Sequence, residues 1–300
     1  MPRQHAGNSS QGLAVTLMAD YTLAARSWLP SAALVALLGE FDVSVGGART
    51  TISRLARRGV LEGSRDGRHS SYRLTEPAAR DLSGGGHAVA EFTLDSDSWG
   101  GMWTTVAFSI PEEVHPQRRL LRERLRWWGY APLYDAVWLS PHPPHPDLMA
   151  ELAAVAPGAL SVFQSQYVHL GSASARSPID AWDLDDIAEQ YQGFIRHWSR
   201  LLPRIASGRV AGAAAVRART EIMNTYRRFP VLDPRLPVEL LPRDWPRARA
   251  REVFLAVYDG LAEPAQEHVH AVVAQAGGEL DGDIRAHTVK DMGAGVVRER

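Results

Sequence analysis

The chain has no cysteine, which excludes disulfides, thiolate-bound zinc and thiol catalysis and agrees with a reducing compartment. No apolar run approaches the ~20 residues that a membrane helix needs. The opening MPRQHAGNSSQG lacks the apolar stretch of a secretory signal. Residues 1–11 therefore read as a mobile tail, and a cytoplasmic protein with no membrane partner is expected. Net charge is nearly lacking too, at −1, which argues against indiscriminate coating of nucleic acid. Gly-x-Gly-x-x-Gly after a strand, a Walker loop and a Gly-x-Ser-x-Gly elbow are all missing, so no cofactor is expected.

Three hundred residues, 45% of them hydrophobic and 22% charged, predict two or three domains with ordinary cores. Charge is unevenly placed. Gly12 to Arg80 holds nine arginines against six acids, whereas Asp81 onward holds 23 basic and 28 acidic residues. A mildly basic head on an acidic body suits a specific DNA reader with a separate sensing part.

The head carries helical spacing first. Leu13, Leu17 and Tyr21 mark one face of a helix from Gly12 to Ala25. Pro30-Ser31 opens a second helix, with Ser31 as its expected N-cap and Leu34, Leu37, Leu38 and Phe41 on its apolar face. After a short break, Ser44 caps a third helix that Gly59 stops. There Ala48, Ile52 and Leu55 face the core. Arg49, Thr50, Ser53, Arg54 and Arg57 remain, a cationic face without a single acid. Solvated helix faces usually mix charge signs, whereas an acid-free one suits phosphates and base edges. Next, Asp66-Gly67 between two strand-compatible runs marks a hairpin, placing Arg65, Arg68 and His69 at its tip. This is the order of a winged helix-turn-helix, whose third helix enters the major groove while the wing touches backbone or minor groove.

Ser83-Gly84-Gly85-Gly86 reads as a boundary after this first domain. Strand, helix, two strands, helix and strand follow: Trp103–Pro111, Pro116–Trp128, a weak Tyr130–Tyr134, Ala136–Ser140, Asp147–Val155 and Leu160–Leu170. The order β-α-β-β-α-β indicates a ferredoxin-like fold. From Trp182 the pattern is helical. Asp183 caps Leu184 to Leu202, a helix spans Ala211 to Arg228, Phe229 to Pro237 is expected extended because of its prolines, and one long helix is expected from Pro246 to Ala276. The fold class is thus α+β, with domains at 12–82, 99–171 and 180–276 and a mobile tail over 277–300.

A family resemblance rests on Ala48-Arg49-Thr50 to Arg58-Gly59 with Gly67-Arg68 through Tyr72-Arg73-Leu74, on the Trp99 to Trp103 segment leading to Ile110-Pro111, and on the Trp182 to Tyr191 helix. The most diagnostic block is Asp233-Pro234-Arg235-Leu236-Pro237 running to Leu241-Pro242-Arg243-Asp244-Trp245-Pro246. These residues resemble the PaaX family, repressors of phenylacetate-degradation operons, although Arg247 stands where Gly is expected after Trp-Pro. The resemblance implies an N-terminal winged helix, a Cas2-like middle domain, a helical C-terminal domain, and a dimeric repressor released by an aryl-acyl-CoA such as phenylacetyl-CoA. A homodimer on palindromic operator DNA is expected, with the apolar helices beyond Trp182 as its interface.

Other chemistry fits less well. A metal-dependent nuclease needs a carboxylate cluster, yet the first middle strand ends in Ser109-Ile110-Pro111, and Glu112 and Glu113 suit the start of the next helix. His142 with His145, and His268 with His270, read as surface residues, so no metal site and no enzyme are expected. A winged-helix adaptor for proteins is the other alternative, but such adaptors do not require an acid-free third helix. For the effector, Arg118, Arg122 and Arg126 offer cations for phosphates, and Trp127 and Trp138, with Trp128 beside them, offer aromatic surface; core tryptophans beside a solvated arginine face are the plainer alternative.

Overall fold

The computed structural model describes residues 9–67, 69–92, 98–111, 115–168, 171, 176–277 and 283–296. Arg68 and the Glu112-Glu113 pair lie outside these. Contacts divide the chain into two compact units, one of residues 1–94, 191–231 and 246–300, the other of residues 95–190 and 232–245.

The first unit begins with α1 (Ser10–Thr22), whose N-cap Ser9 side chain accepts from Gly12 N at 3.1 Å. Then come β1 (Leu29–Pro30), α2 (Ser31–Gly39), α3 (Val45–Arg57) and the hairpin β2 (Leu61–Asp66) and β3 (His69–Leu74). The three strands form an antiparallel sheet in the order β1-β3-β2. Ser31 is not a cap. Pro30 pairs with Ser71 in the sheet and its extended backbone leads straight into the helix, so Ser31 is already the first helical residue. Leu13, Leu17, Leu34, Leu38, Ile52 and Leu55 are buried, as the helical spacing requires.

The glycine run is not a boundary. It lies inside α4 (Glu76–Glu91), which Thr75 caps and Pro77 opens. Helix-breaking propensity costs only about 1 kcal/mol per glycine, and burial of Ala79, Val89 and Ala90 outweighs it here. A methyl group added at Gly84 or Gly85 would meet nothing within 4 Å. Gly84→Ala with Gly85→Ala should therefore stabilise the fold by roughly 1–2 kcal/mol in urea titrations. An unchanged midpoint would restore the linker reading.

The second unit comprises β4 (Met102–Phe108), α5 (His115–Trp127), β5 (Ala131–Tyr134), β6 (Val137–Ser140), α6 (Pro146–Val155) and β7 (Leu160–Gln166). The sheet is antiparallel throughout, in the order β5-β6-β4-β7, which is the ferredoxin-like arrangement. One face packs Val106, Phe108 and Trp138 against Leu121, Leu125, Leu148 and Leu152 of the two helices.

The remaining helices are α7 (Leu184–Ser199), α8 (Leu202–Ala206), α9 (Ala213–Tyr226), α10 (Phe229–Leu232), α11 (Arg247–Tyr258), α12 (Ala262–Gln275) and α13 (Val289–Gly293). Three expectations change. Phe229 to Leu232 is a helical turn, because Pro230 at its second position forfeits no intrahelical bond. The long helix expected from Pro246 is two helices broken at Asp259–Leu261: Pro264 fits only a first turn, and the Asp259 carboxylate accepts from Val289 N at 2.9 Å. Residues 283–296, expected to be part of a mobile tail, are packed. Ile284, His287, Val289 and Met292 are buried, Arg285 N donates to Tyr21 O, and Gly86 of α4 lets Met292 approach closely.

Candidate nucleic-acid interface

Helix α3 is positioned from both ends and along its inner face. Ser44 accepts from Gly47 N at 3.2 Å, and Gly59 reverses the chain at φ 71°. Ala48, Thr51, Ile52 and Leu55 are buried, and Thr51 Oγ1 donates to Ser10 Oγ of α1 at 2.8 Å. Arg49, Thr50, Ser53, Arg54 and Arg57 consequently all point outward and are exposed.

The eight head arginines among the described residues sort by what they touch. Arg26 and Arg73 converge on Glu62, at 2.7 and 2.6 Å; Arg26 Nε also donates to Leu74 O, and Arg73 lies over the Trp28 ring at 4.4 Å. These two fasten the small sheet. Arg58 donates to Gln11 at 2.8 Å, and Arg80 sits 4.0 Å from Glu76 one helical turn away. The side chains of Arg49, Arg54, Arg57 and Arg65 make no hydrogen bond or ion pair among the described residues. Three of those four lie on α3 and the fourth near the hairpin tip. Guanidiniums without an internal partner need break no ion pair to meet an anion, and their planar forks match phosphate and guanine edges.

The hairpin is a two-residue connection, since Asp66 pairs with His69 and Gly67 has φ 55°, the left-handed geometry such turns require. Gly63 leaves room for the Tyr72 ring across the strand pair, where a Cβ would come within 3.1 Å. Arg65 and His69 are exposed beside the turn.

The residues expected to hold an acyl-CoA are dispersed. Arg118 and Arg122 both bind the Asp135 carboxylate. Trp138 is 1% exposed in the core of the second unit, with Arg126 5.1 Å from its ring, whereas Trp127 is 76% exposed on the outside of α5. The histidine pairs are likewise engaged one by one: His142 with Pro234 O, His145 with Asp147 N as a helix cap, His268 with Glu40 at 2.6 Å, and His270 with Ile284 O. His268 and His270 are half-buried, so they are not surface residues.

One group escaped the sequence. Arg219 of α9 is completely buried. Its guanidinium donates to Tyr258 O and His287 O and lies 3.6 Å from the Tyr258 ring. Tyr258 OH donates to Asp20 Oδ1 of α1 at 2.7 Å and meets His287 Nε2 at 3.2 Å. Burial pushes the Asp20 carboxyl up to about 6 against the pull of Arg219 and Tyr258; burial and then Arg219 push the His287 imidazole down to about 3. A signal does exist in the chain: Arg219 shares the stripe of Ala215, Ile222 and Tyr226, where a cation is out of place.

Comparison with known proteins bears on this geometry. The model of the PaaX-like protein family matches residues 9–78, that of the PaaX central Cas2-like domain residues 96–176, and that of the PaaX-like C-terminal domain residues 182–271. The transcriptional repressor PaaX of Escherichia coli (strain K12) is 28% identical over 260 residues, which is 84% of this chain and 80% of that protein. Among solved structures, an uncharacterized protein from Mycobacterium tuberculosis matches 87% of this chain and 99% of its own length, with a TM-score of 0.57 at 20% identity, a likeness of fold.

Proposed function

Because the chain belongs to the PaaX family, we propose that it is a sequence-specific transcriptional repressor that reads operator DNA through α3. The carrying observation is the face of Arg49, Thr50, Ser53, Arg54 and Arg57, exposed, acid-free and with its three arginines unpaired among the described residues. In this reading residues 12–82 form a winged helix-turn-helix. Helix α3 lies in the major groove, its guanidiniums bidentate to guanine or bound to phosphate, and Arg65, Arg68 and His69 of the wing meet the flanking backbone. Residues 99–171 and 180–276 supply the sensing and assembly parts, and two protomers engage a palindromic site.

A small effector releases the operator by binding the DNA-incompetent conformer more tightly. An aryl-acyl-CoA is the class the family points to. If its phosphates meet Arg118 and Arg122, they must first displace Asp135, while Arg126, Trp127 and Trp138 stand ready only in part. The chain is a regulator and not an enzyme in this reading, like the repressor it resembles.

The test is selection of bound fragments from genomic DNA followed by a salt titration. Eight phosphate contacts from a dimer should give a slope of about −7 in log affinity against log salt, and selected fragments should outbind random DNA by 10³-fold or more. Equal retention of random and genomic fragments would remove the reading.

A further inference from the structure

Helix α3 opens with residues that its own fold only partly accounts for. Val45, Gly46 and Gly47 follow the Ser44 cap, and all three are poorer helix formers than alanine. Gly47 has a reason inside the protein, because a Cβ there would meet Ser44 Oγ at 3.1 Å and Val43 Cγ1 at 3.5 Å. Gly46 has none. It is exposed, it is helical without a positive φ, and a Cβ there would meet nothing within 4 Å.

Val45 is the second anomaly. Its side chain is 56% exposed, and no other large hydrophobic side chain is left so open among the described residues up to position 92. Single exposed apolar residues are ordinary where many are scattered over a surface. This part of the chain hides the rest of its apolar groups and leaves one open on the side that carries the unpaired arginines.

Position decides what the pair can do. Val45, Arg49 and Ser53 stand four residues apart, as do Gly46 and Thr50, so they form two adjacent rows on the exposed side of α3. The valine heads the row whose next member is Arg49. A phosphate or a polar base edge returns nothing to an isopropyl group that displaces its water. The major groove offers one apolar group on its base edges, the C5-methyl of thymine. Glycine beside the valine removes the side chain that would hold the helix backbone off that edge.

We propose that Val45 is a specificity-determining residue that packs on the C5-methyl of a thymine, and that Gly46 lets the first turn of α3 approach closely enough for it to do so. The proposal rests on the repressor reading and names one base that the helix selects.

Deoxyuridine pairs as thymidine does but lacks the methyl group, so it isolates this contact. Each thymine of a selected operator fragment is replaced in turn, in both half-sites together, and affinity is read by fluorescence anisotropy. At one thymine the replacement should weaken the wild-type chain about fourfold per half-site, the worth of one buried methyl group. Val45→Ala should bind the thymine fragment more weakly by at least that much and be indifferent to the replacement, a non-additivity that misfolding would not give. Gly46→Ala should bind roughly tenfold more weakly while its urea midpoint rises, the reverse of what a damaged fold shows. Indifference of the wild-type chain to every replacement overturns the proposal. So does a Val45→Ala chain that keeps the wild-type sensitivity, or a Gly46→Ala chain of unchanged affinity. In these three cases the selected fragment still outbinds random DNA, and the repressor reading stands. A wild-type chain that prefers no fragment over random DNA removes the repressor reading and this proposal with it.

Discussion

Replacing Arg219 by methionine is expected to cost about 3–5 kcal/mol of unfolding free energy, the range for leaving a buried charge uncompensated. The wild-type guanidinium balances Asp20 and supplies donors to two backbone carbonyls, of Tyr258 and of His287. Methionine fills similar volume but leaves the buried carboxylate with only the weaker pull of Arg227 and the carbonyls without the guanidinium donors. Lysine should not rescue it, because a point charge cannot serve both carbonyls at once. Asp20→Asn in the Arg219→Met background should recover part of the loss, since the uncompensated charge goes with it. Urea unfolding of the four chains at pH 7 measures this, and a loss below 1 kcal/mol in Arg219→Met would show that the network contributes little. The same network sets an acid limit. The unfolded chain protonates His287 near 6.5, the folded one only near 3, so this residue lowers stability as pH falls below about 6.5. Asp20, whose folded value is raised to about 6, acts oppositely between about 6 and 3.8.

The second large effect is on DNA. Arg49→Ala and Arg54→Ala should each cost about 1–3 kcal/mol of operator affinity if each guanidinium reads a base, so the double variant should bind roughly 30-fold to 10⁴-fold more weakly, with neighbour coupling setting the value within that range. Both side chains are exposed and make no hydrogen bond or ion pair among the described residues, so the fold should melt as before. Arg119→Ala removes an equal charge from α5, where Arg119 already faces Glu123 at 3.5 Å, and should leave affinity within about twofold. Fluorescence anisotropy on a selected fragment separates the cases. An unchanged affinity in the double variant would move the reading surface off α3.

Legibility in the sequence follows the range of the forces involved. Ser44, Gly59 and the Ala48, Ile52, Leu55 spacing place α3 and its outward face, because caps and helical period act within one or two turns. Asp66-Gly67 places the hairpin for the same reason. The β-α-β-β-α-β order leads to the ferredoxin-like sheet, since topology rules leave few ways to close it. What misleads is decided across the chain. The glycines of α4 read as a break, because the partner of Gly86, Met292, lies two hundred residues away. Pro264 marks a helix start, but the apolar pattern runs through it as if unbroken. Arg219 stands out of place on an apolar stripe, but its partners Asp20, Tyr258 and His287 are too remote in sequence to be read from it. The arginines of α5 suit phosphates by composition, yet Asp135, which holds two of them, comes from the turn between β5 and β6.

The packing of residues 283–296 against α1 and α4 has a consequence for the order of events during synthesis. Arg285 bonds to Tyr21, His287 closes over the Asp20 network, and Met292 seats on Gly86. The first ninety residues leave the ribosome long before these partners exist. Contacts this remote in sequence form late, after their loop-closure entropy has been met. The head of a nascent chain, with its proposed reading helix, therefore lacks these contacts until residues 283–296 emerge.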